Sequence, residues 1–213
     1  MSSERVLIDG PVGSIELVID SPKDLSRANT GVALRGVAVV AHPHPLHDGS
    51  LDNKVAQSLA KTFAELGYVA LRPNFRGVGQ SAGVHDEGNG ETEDLLAVAA
   101  YARQRFGVQT LALAGFSFGS LVQSRVAKHL DASGIPAERL VFVGTAVTRG
   151  HVETVPADTI VIHGELDDVV PLKTVLDWAL PQDLPVSVVA GADHFFHRRL
   201  HVIRGIVERS WTK

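Results

Sequence analysis

The pattern of apolar and polar positions changes character near residue 36. Upstream, short apolar and β-branched stretches over 6–8 and 14–20 flank Gly10-Pro11-Val12-Gly13, a spacing that predicts a hairpin. Residues 21–35 then read as a polar loop. Downstream come continuous apolar runs over 37–41, 68–71, 110–114, 140–143, 159–162 and 186–189. Such runs leave no polar side for solvent, so they predict strands buried on both faces.

Between these runs the period is helical. Val55, Leu59, Phe63 and Leu66 recur along one helix face before Gly67, a suitable C-terminal stop. The segment 91–106 begins acidic and ends with Arg103 and Arg105, the charge order a helix dipole favours. Val122, Val126 and Leu130 form another buried stripe, and Phe196, Leu200, Ile203 and Val207 mark a last helix. Strands alternating with helices predict the α/β class: a mostly parallel sheet, helices on both faces, and antiparallel N-terminal strands.

Composition narrows the chemistry. The 213 residues show no repeat and no compositional break, so one domain over 1–213 is expected. An apolar content of 45% and a charged content of 21% are ordinary for a globular chain. No apolar run approaches the ~18 residues that a membrane span needs, and none is expected. Residues 1–9 include Glu4 and Asp9 and lack the apolar centre of a signal peptide, so a cytoplasmic location is expected. The absence of cysteine excludes disulfides, a thiolate nucleophile and zinc-thiolate sites. A formal charge of -4 without a dense Lys/Arg block argues against a nucleic-acid partner and leaves small molecules as substrates. Oligomeric state has no signature in the sequence.

Gly115-Phe116-Ser117-Phe118-Gly119 is a G-x-S-x-G pentapeptide between the apolar run 110–114 and the helical stripe beginning at Val122. A serine in a strained strand-to-helix turn is presented as a nucleophile, and the flanking glycines let the two elements pack without a Cβ clash. A hydroxyl is a poor nucleophile near neutral pH, so it needs a base, and the base needs an orienting acid. Downstream of the strand 159–162, Asp167 and Asp168 both lie where a parallel sheet places its ligands, with Asp167 preferred. After the final strand, His194 follows Ala190-Gly191-Ala192-Asp193 and is the candidate base, whereas His197 and His201 fall in the predicted helix and are expected on its surface. Phe118, the residue after the nucleophile, offers one backbone N–H to an oxyanion. In His42-Pro43-His44-Pro45 the prolines have no N–H, so His44 is the donor between them and is expected to supply the second.

These segments, together with Asn74-Phe75-Arg76-Gly77-Val78-Gly79-Gln80-Ser81, Gly164-x-x-Asp167 and His194-Phe195-Phe196-His197-Arg198-Arg199, resemble a bacterial branch of the α/β-hydrolase superfamily. That branch comprises small hydrolases without a lid, related to dienelactone hydrolases and carboxylesterases. The resemblance runs from about residue 36 to the end of the chain. It implies an α/β-hydrolase fold without a cap domain, Ser117 as nucleophile, Asp167 as acid, His194 as base, and His44 and Phe118 as oxyanion donors. It also implies a carboxylesterase-type reaction on a small ester-like molecule, through an acyl-enzyme and with no cofactor or metal. Dienelactone hydrolases use cysteine at the elbow, so their lactone specificity does not transfer to Ser117. Asn74-Phe75-Arg76-Gly77 is expected to buttress the elbow. Lidded relatives insert a cap after the strand equivalent to 140–143, and the short segment 144–158 predicts an open site here. Leu46, Phe116 and Phe195 are expected around a small acyl pocket.

Two other classes compete. His42-x-His44-x-x-His47-Asp48 places imidazoles and a carboxylate in one loop, a donor set that suits zinc in a metal-dependent hydrolase. A non-catalytic scaffold of the same fold, binding a ligand or partner, is the other. Neither explains why Ser117, Asp167 and His194 occur in the order such a site requires.

Overall fold

The computed structural model describes residues 1–23 and 34–211. Eight strands form one sheet: β1 (Ser2–Gly10), β2 (Gly13–Ser21), β3 (Gly36–Ala41), β4 (Tyr68–Pro73), β5 (Leu111–Phe116), β6 (Arg139–Val143), β7 (Ile160–Gly164) and β8 (Val186–Val189). The order across the sheet is β1-β2-β4-β3-β5-β6-β7-β8. The β1-β2 hairpin turns at Gly10↔Gly13, and β2 joins β4 antiparallel. From β4 to β8 every pairing is parallel. The polar loop expected over 21–35 lies largely outside the described residues, although Ser21 itself still belongs to β2.

Because successive side chains of a strand point to opposite faces, the parallel strands feed two cores at once. Val37, Val39, Leu111, Leu113 and Phe142 face one side, where α2 (Asn89–Phe106), α3 (Phe118–Ala132) and α4 (Leu172–Ala179) cover them. Ala38, Val40, Ala112, Ala114 and Val141 face the other, under α1 (Lys54–Glu65) and α5 (Leu200–Trp211). The second face is rich in alanine, and the volume is filled by Phe63, Tyr68 and Trp211, whose rings meet edge-on at 5.1 to 5.8 Å between centroids. Each fully buried Val, Leu or Phe contributes roughly 1.5–3 kcal/mol by leaving water.

The last helix begins at Leu200 instead of Phe196. Phe196 (φ 53°) and Arg198 (φ 61°) occupy the left-handed region, which a right-handed helix cannot include. Phe196 is nevertheless fully buried, which is why its spacing reads as helical. His197 therefore sits in a turn, where Asp193 accepts from its ring at 2.6 Å; His201 is exposed on α5 as expected. β8 also departs from a doubly buried run: it is the sheet's edge, and Ser187 and Val188 face solvent. Residues 144–159 connect β6 to β7 directly, so no cap domain stands over the carboxyl ends of the strands. No described helix is long and apolar enough to cross a membrane.

Candidate functional site

Ser117 stands between β5 and α3 with φ 54° and ψ −118°, a conformation that non-glycine residues adopt at a cost of order 1–3 kcal/mol. The surroundings enforce it. A Cβ at Gly115 would run into the backbone of Gly119 and Ser120, and one at Gly119 into the Ala41 and His42 carbonyls. The Ser117 N–H donates to the Val143 carbonyl at 2.9 Å, and the Ser120 hydroxyl donates to the Gly115 carbonyl at 2.8 Å. The turn thus presses against β3 and β6, with the serine side chain raised above the sheet's carboxyl edge.

His194 arrives from the loop after β8 and Asp167 from the loop after β7. These loops are tied together: Leu166 N–H donates to Ala192 O at 2.9 Å, and the Glu165 carboxylate accepts from Gly191 N–H at 2.8 Å. Asp167 Oδ2 accepts from His194 Nδ1 at 2.7 Å, which leaves Nε2 to accept from the Ser117 hydroxyl at 3.1 Å. The other Asp167 oxygen accepts from the N–H groups of Val169 (3.0 Å) and Val170 (2.7 Å). All three residues are buried, whereas Asp168 is exposed and lies outside this chain of bonds. The His194 ring packs between Phe116 and Phe195, at 5.0 and 5.1 Å between centroids, and a side chain at Gly144 (φ 55°) would crowd its Cε1.

Phe118 is the first residue of α3, so its N–H has no intrahelical acceptor and lies at the positive end of the helix dipole. The His44 ring packs against the Phe118 ring at 4.8 Å, which brings the Pro-rich loop over the elbow. His42 anchors that loop from beneath. Its Nδ1 donates to the Pro43 carbonyl at 2.7 Å, and its Nε2 accepts from Phe75 N–H at 2.9 Å. Complete burial pushes its imidazole down to about 4, so it is neutral at physiological pH. Burial, then the neighbouring His85, His47 and Arg149 charges, also hold the His44 imidazole below its ordinary range. With both ring nitrogens of His42 engaged below the loop and His44 and His47 above it, the imidazoles are not presented to one point. No group of three or more potential metal-holding side chains occurs among the described residues.

A cleft of about 530 Å³ opens over Ser117 and His194. Phe195 lines it, and so do Val169, Val170 and Arg149, which the sequence did not single out. Leu46 is 69% exposed and stands outside the lining, because its short 3-10 turn directs it to solvent. Phe116 is fully buried, as an inward position on β5, and supports His194 instead of forming cleft wall. Phe75 underlies Phe118 at 5.5 Å, and Arg76 pairs with Asp94 at 2.8 Å, so this stretch braces the elbow from below. A second cleft of about 590 Å³ lies between α2 and α3, but Lys128 there is already paired with Glu153 at 2.8 Å, and its wall includes no serine.

The comparisons with known proteins follow the same lines. A family model described as the α/β hydrolase fold matches residues 48–154. An uncharacterized protein of Rickettsia prowazekii is 31% identical over 172 residues, which is 75% of this chain and 71% of the relative. A crystal structure from Xanthomonas campestris, described as an α/β serine hydrolase without lid, is 36% identical with a TM-score of 0.87, covering 99% of this chain and 94% of the other. An α/β serine hydrolase homologue from Coxiella burnetii is also 36% identical, with a TM-score of 0.83 over 98% of this chain and 97% of its own.

Proposed function

The chain belongs to the α/β-hydrolase fold family, and on that premise we propose that it is a serine hydrolase cleaving a carboxylic ester, or a thioester, of a small acyl group. The observation that carries the reading is the unbroken run of hydrogen bonds from Ser117 through His194 to Asp167, opening into a solvent-accessible cleft. In this reading Ser117 Oγ attacks the carbonyl carbon while its proton passes to His194 Nε2. Asp167 keeps the proton on Nδ1 and stabilises the imidazolium that forms. The backbone N–H groups of Phe118 and His44 receive the oxyanion. Collapse of the tetrahedral intermediate breaks the bond to the leaving oxygen or sulfur, which takes the proton from His194. Water then repeats the sequence on the acyl-enzyme and releases the acid.

The cleft's apolar residues, Val169, Val170 and Phe195, fit a short acyl chain. The lack of a cap fits a site that reaches its substrate without a lid movement. The test combines labelling with turnover. A fluorophosphonate should modify the folded protein at Ser117, and a series of p-nitrophenyl esters and matched thioesters should rank acyl size and leaving group. Ser117→Ala should abolish both signals. Absence of any adduct on folded wild-type protein would defeat the proposal.

A further inference from the structure

The loops around the cleft differ in character. Those after β7 and β8 contribute the apolar Val169, Val170 and Phe195, whereas those after β3 and β6 contribute His44, Asp48 and Arg149. Arg149 closes a tight turn: its N–H donates to the Ala146 carbonyl at 3.1 Å, two residues after Val147 N–H donates to Thr145 O at 2.8 Å. The turn grows directly from Gly144, where a side chain would crowd His194, and Ala146 also lines the cleft. The base of the Arg149 side chain is therefore fixed close to the reacting groups.

Its guanidinium is uncommitted within the described part of the fold. Among the described residues it makes no ion pair and no side-chain hydrogen bond. Most other arginines in the fold are spoken for: Arg72 by Asp20 at 2.7 Å, Arg76 by Asp94 at 2.8 Å, Arg139 by the Ser210 carbonyl at 2.6 Å. Arg149 is close enough to His44 for its charge to act on that imidazole. An exposed guanidinium loses little hydration when it takes up an anion, and its planar fork matches a carboxylate with two parallel N–H donors.

We propose that Arg149 forms an anion subsite of the Ser117 cleft, selecting esters or thioesters whose acyl part ends in a carboxylate, such as monoesters of short dicarboxylic acids. The proposal rests on the serine-hydrolase reading of the same cleft. Asp48 shares the lining, so its charge opposes a dianionic phosphate more strongly than a single carboxylate. The apolar residues then contact the methylene chain, while the far end of the acyl group meets the guanidinium.

The test compares mono-p-nitrophenyl glutarate with p-nitrophenyl valerate, which differ by a terminal carboxylate in place of a methyl group. Wild-type kcat/KM should favour the glutarate by about tenfold or more, the size of a charge-assisted hydrogen bond. In Arg149→Met that ratio should fall by about tenfold, chiefly through KM. A ratio at or below one in the wild type, or one that survives in Arg149→Met, overturns the subsite. Glutaramate, which carries the carboxylate and an unreactive amide, provides a readout without turnover: calorimetric titration should show about tenfold weaker binding to Arg149→Met than to wild type. If neither ester is cleaved but glutaramate binding depends on Arg149, the hydrolase reading fails and the subsite stands. If both esters are cleaved with the same ratio in both proteins, the subsite alone fails.

Discussion

His163 Nε2 lies 3.4 Å from Asp167 Oδ2, the same oxygen that His194 Nδ1 reaches at 2.7 Å. Two buried imidazoles thus flank one carboxylate. His163, on β7, is fully buried, and its Nε2 donates to the Val170 carbonyl at 2.9 Å, which closes the loop carrying Asp167. Its Nδ1 has no hydrogen-bond partner among the described residues, and burial holds the ring below its ordinary range. A neutral ring protonated on Nε2 satisfies all of these constraints.

The first expectation follows from that arrangement. His163→Leu removes the N–H that fixes Val170 and faces Asp167, and should lower kcat/KM on a short acyl ester by about tenfold. His163→Gln, which keeps a donor, should recover most of the loss even if both variants melt at similar temperatures. If the two variants are equally impaired, His163 matters through packing alone.

The acid can be assigned by charge-neutral replacement. Asp167→Asn leaves the shape of the loop but removes the charge that orients His194, so kcat should fall by ~10³–10⁴. Asp168 is exposed and outside the hydrogen-bond chain, so Asp168→Asn should change kcat by less than about threefold. The reverse outcome would move the acid one residue along the chain.

How far the sequence announced this arrangement depends on what each signal encodes. Doubly buried strands announce themselves because a continuous apolar run has few other uses, and the pentapeptide around Ser117 does so because only glycine fits at 115 and 119. Side-chain direction is less legible. Leu46 and Phe116 flank the expected site in sequence, yet one turns to solvent and the other into the sheet, since each obeys its own backbone and not its neighbour's chemistry. Arg149 was invisible because nothing in a sequence marks an arginine that finds no ion pair among the described residues until its possible partners are located. Phe196 misled in the opposite way: burial at helical spacing requires only that a side chain reach the core, which a turn with positive φ also allows.

The elbow's packing makes a stability prediction. A methyl group at Gly119 would strike the Ala41 carbonyl, at the end of a strand buried on both faces, and the carbonyl of the buried His42 that follows it, and neither can withdraw. Gly119→Ala should therefore cost about 3 kcal/mol or more, read as a lower urea midpoint. Gly134 has positive φ (73°) but meets nothing within 4 Å, so Gly134→Ala should cost only about 1 kcal/mol, from backbone strain. Equal penalties would mean that the close approach of α3 to β3 is not what limits residue 119.

His42 links pH to the integrity of the same region. In the unfolded chain its imidazole titrates near the ordinary 6.5, while in the fold burial pushes it to about 4. The folded state therefore favours the neutral ring. Its contribution is fully present above pH ~6.5 and is lost as pH falls towards 4, where the unfolded chain binds a proton that the folded chain refuses. The difference amounts to about 3 kcal/mol across that window. His42→Gln lacks this titration, so wild-type stability, measured by urea unfolding at a series of pH values, should fall by about that much more than the variant's between pH 6.5 and 4. The loss should be local before it is global. A protonated Nε2 can no longer accept from Phe75 N–H, so the Pro-rich loop over Ser117 should show faster amide exchange on acidification than the strands of the sheet. Parallel pH profiles for wild type and His42→Gln would show that the loop is held by something other than this imidazole.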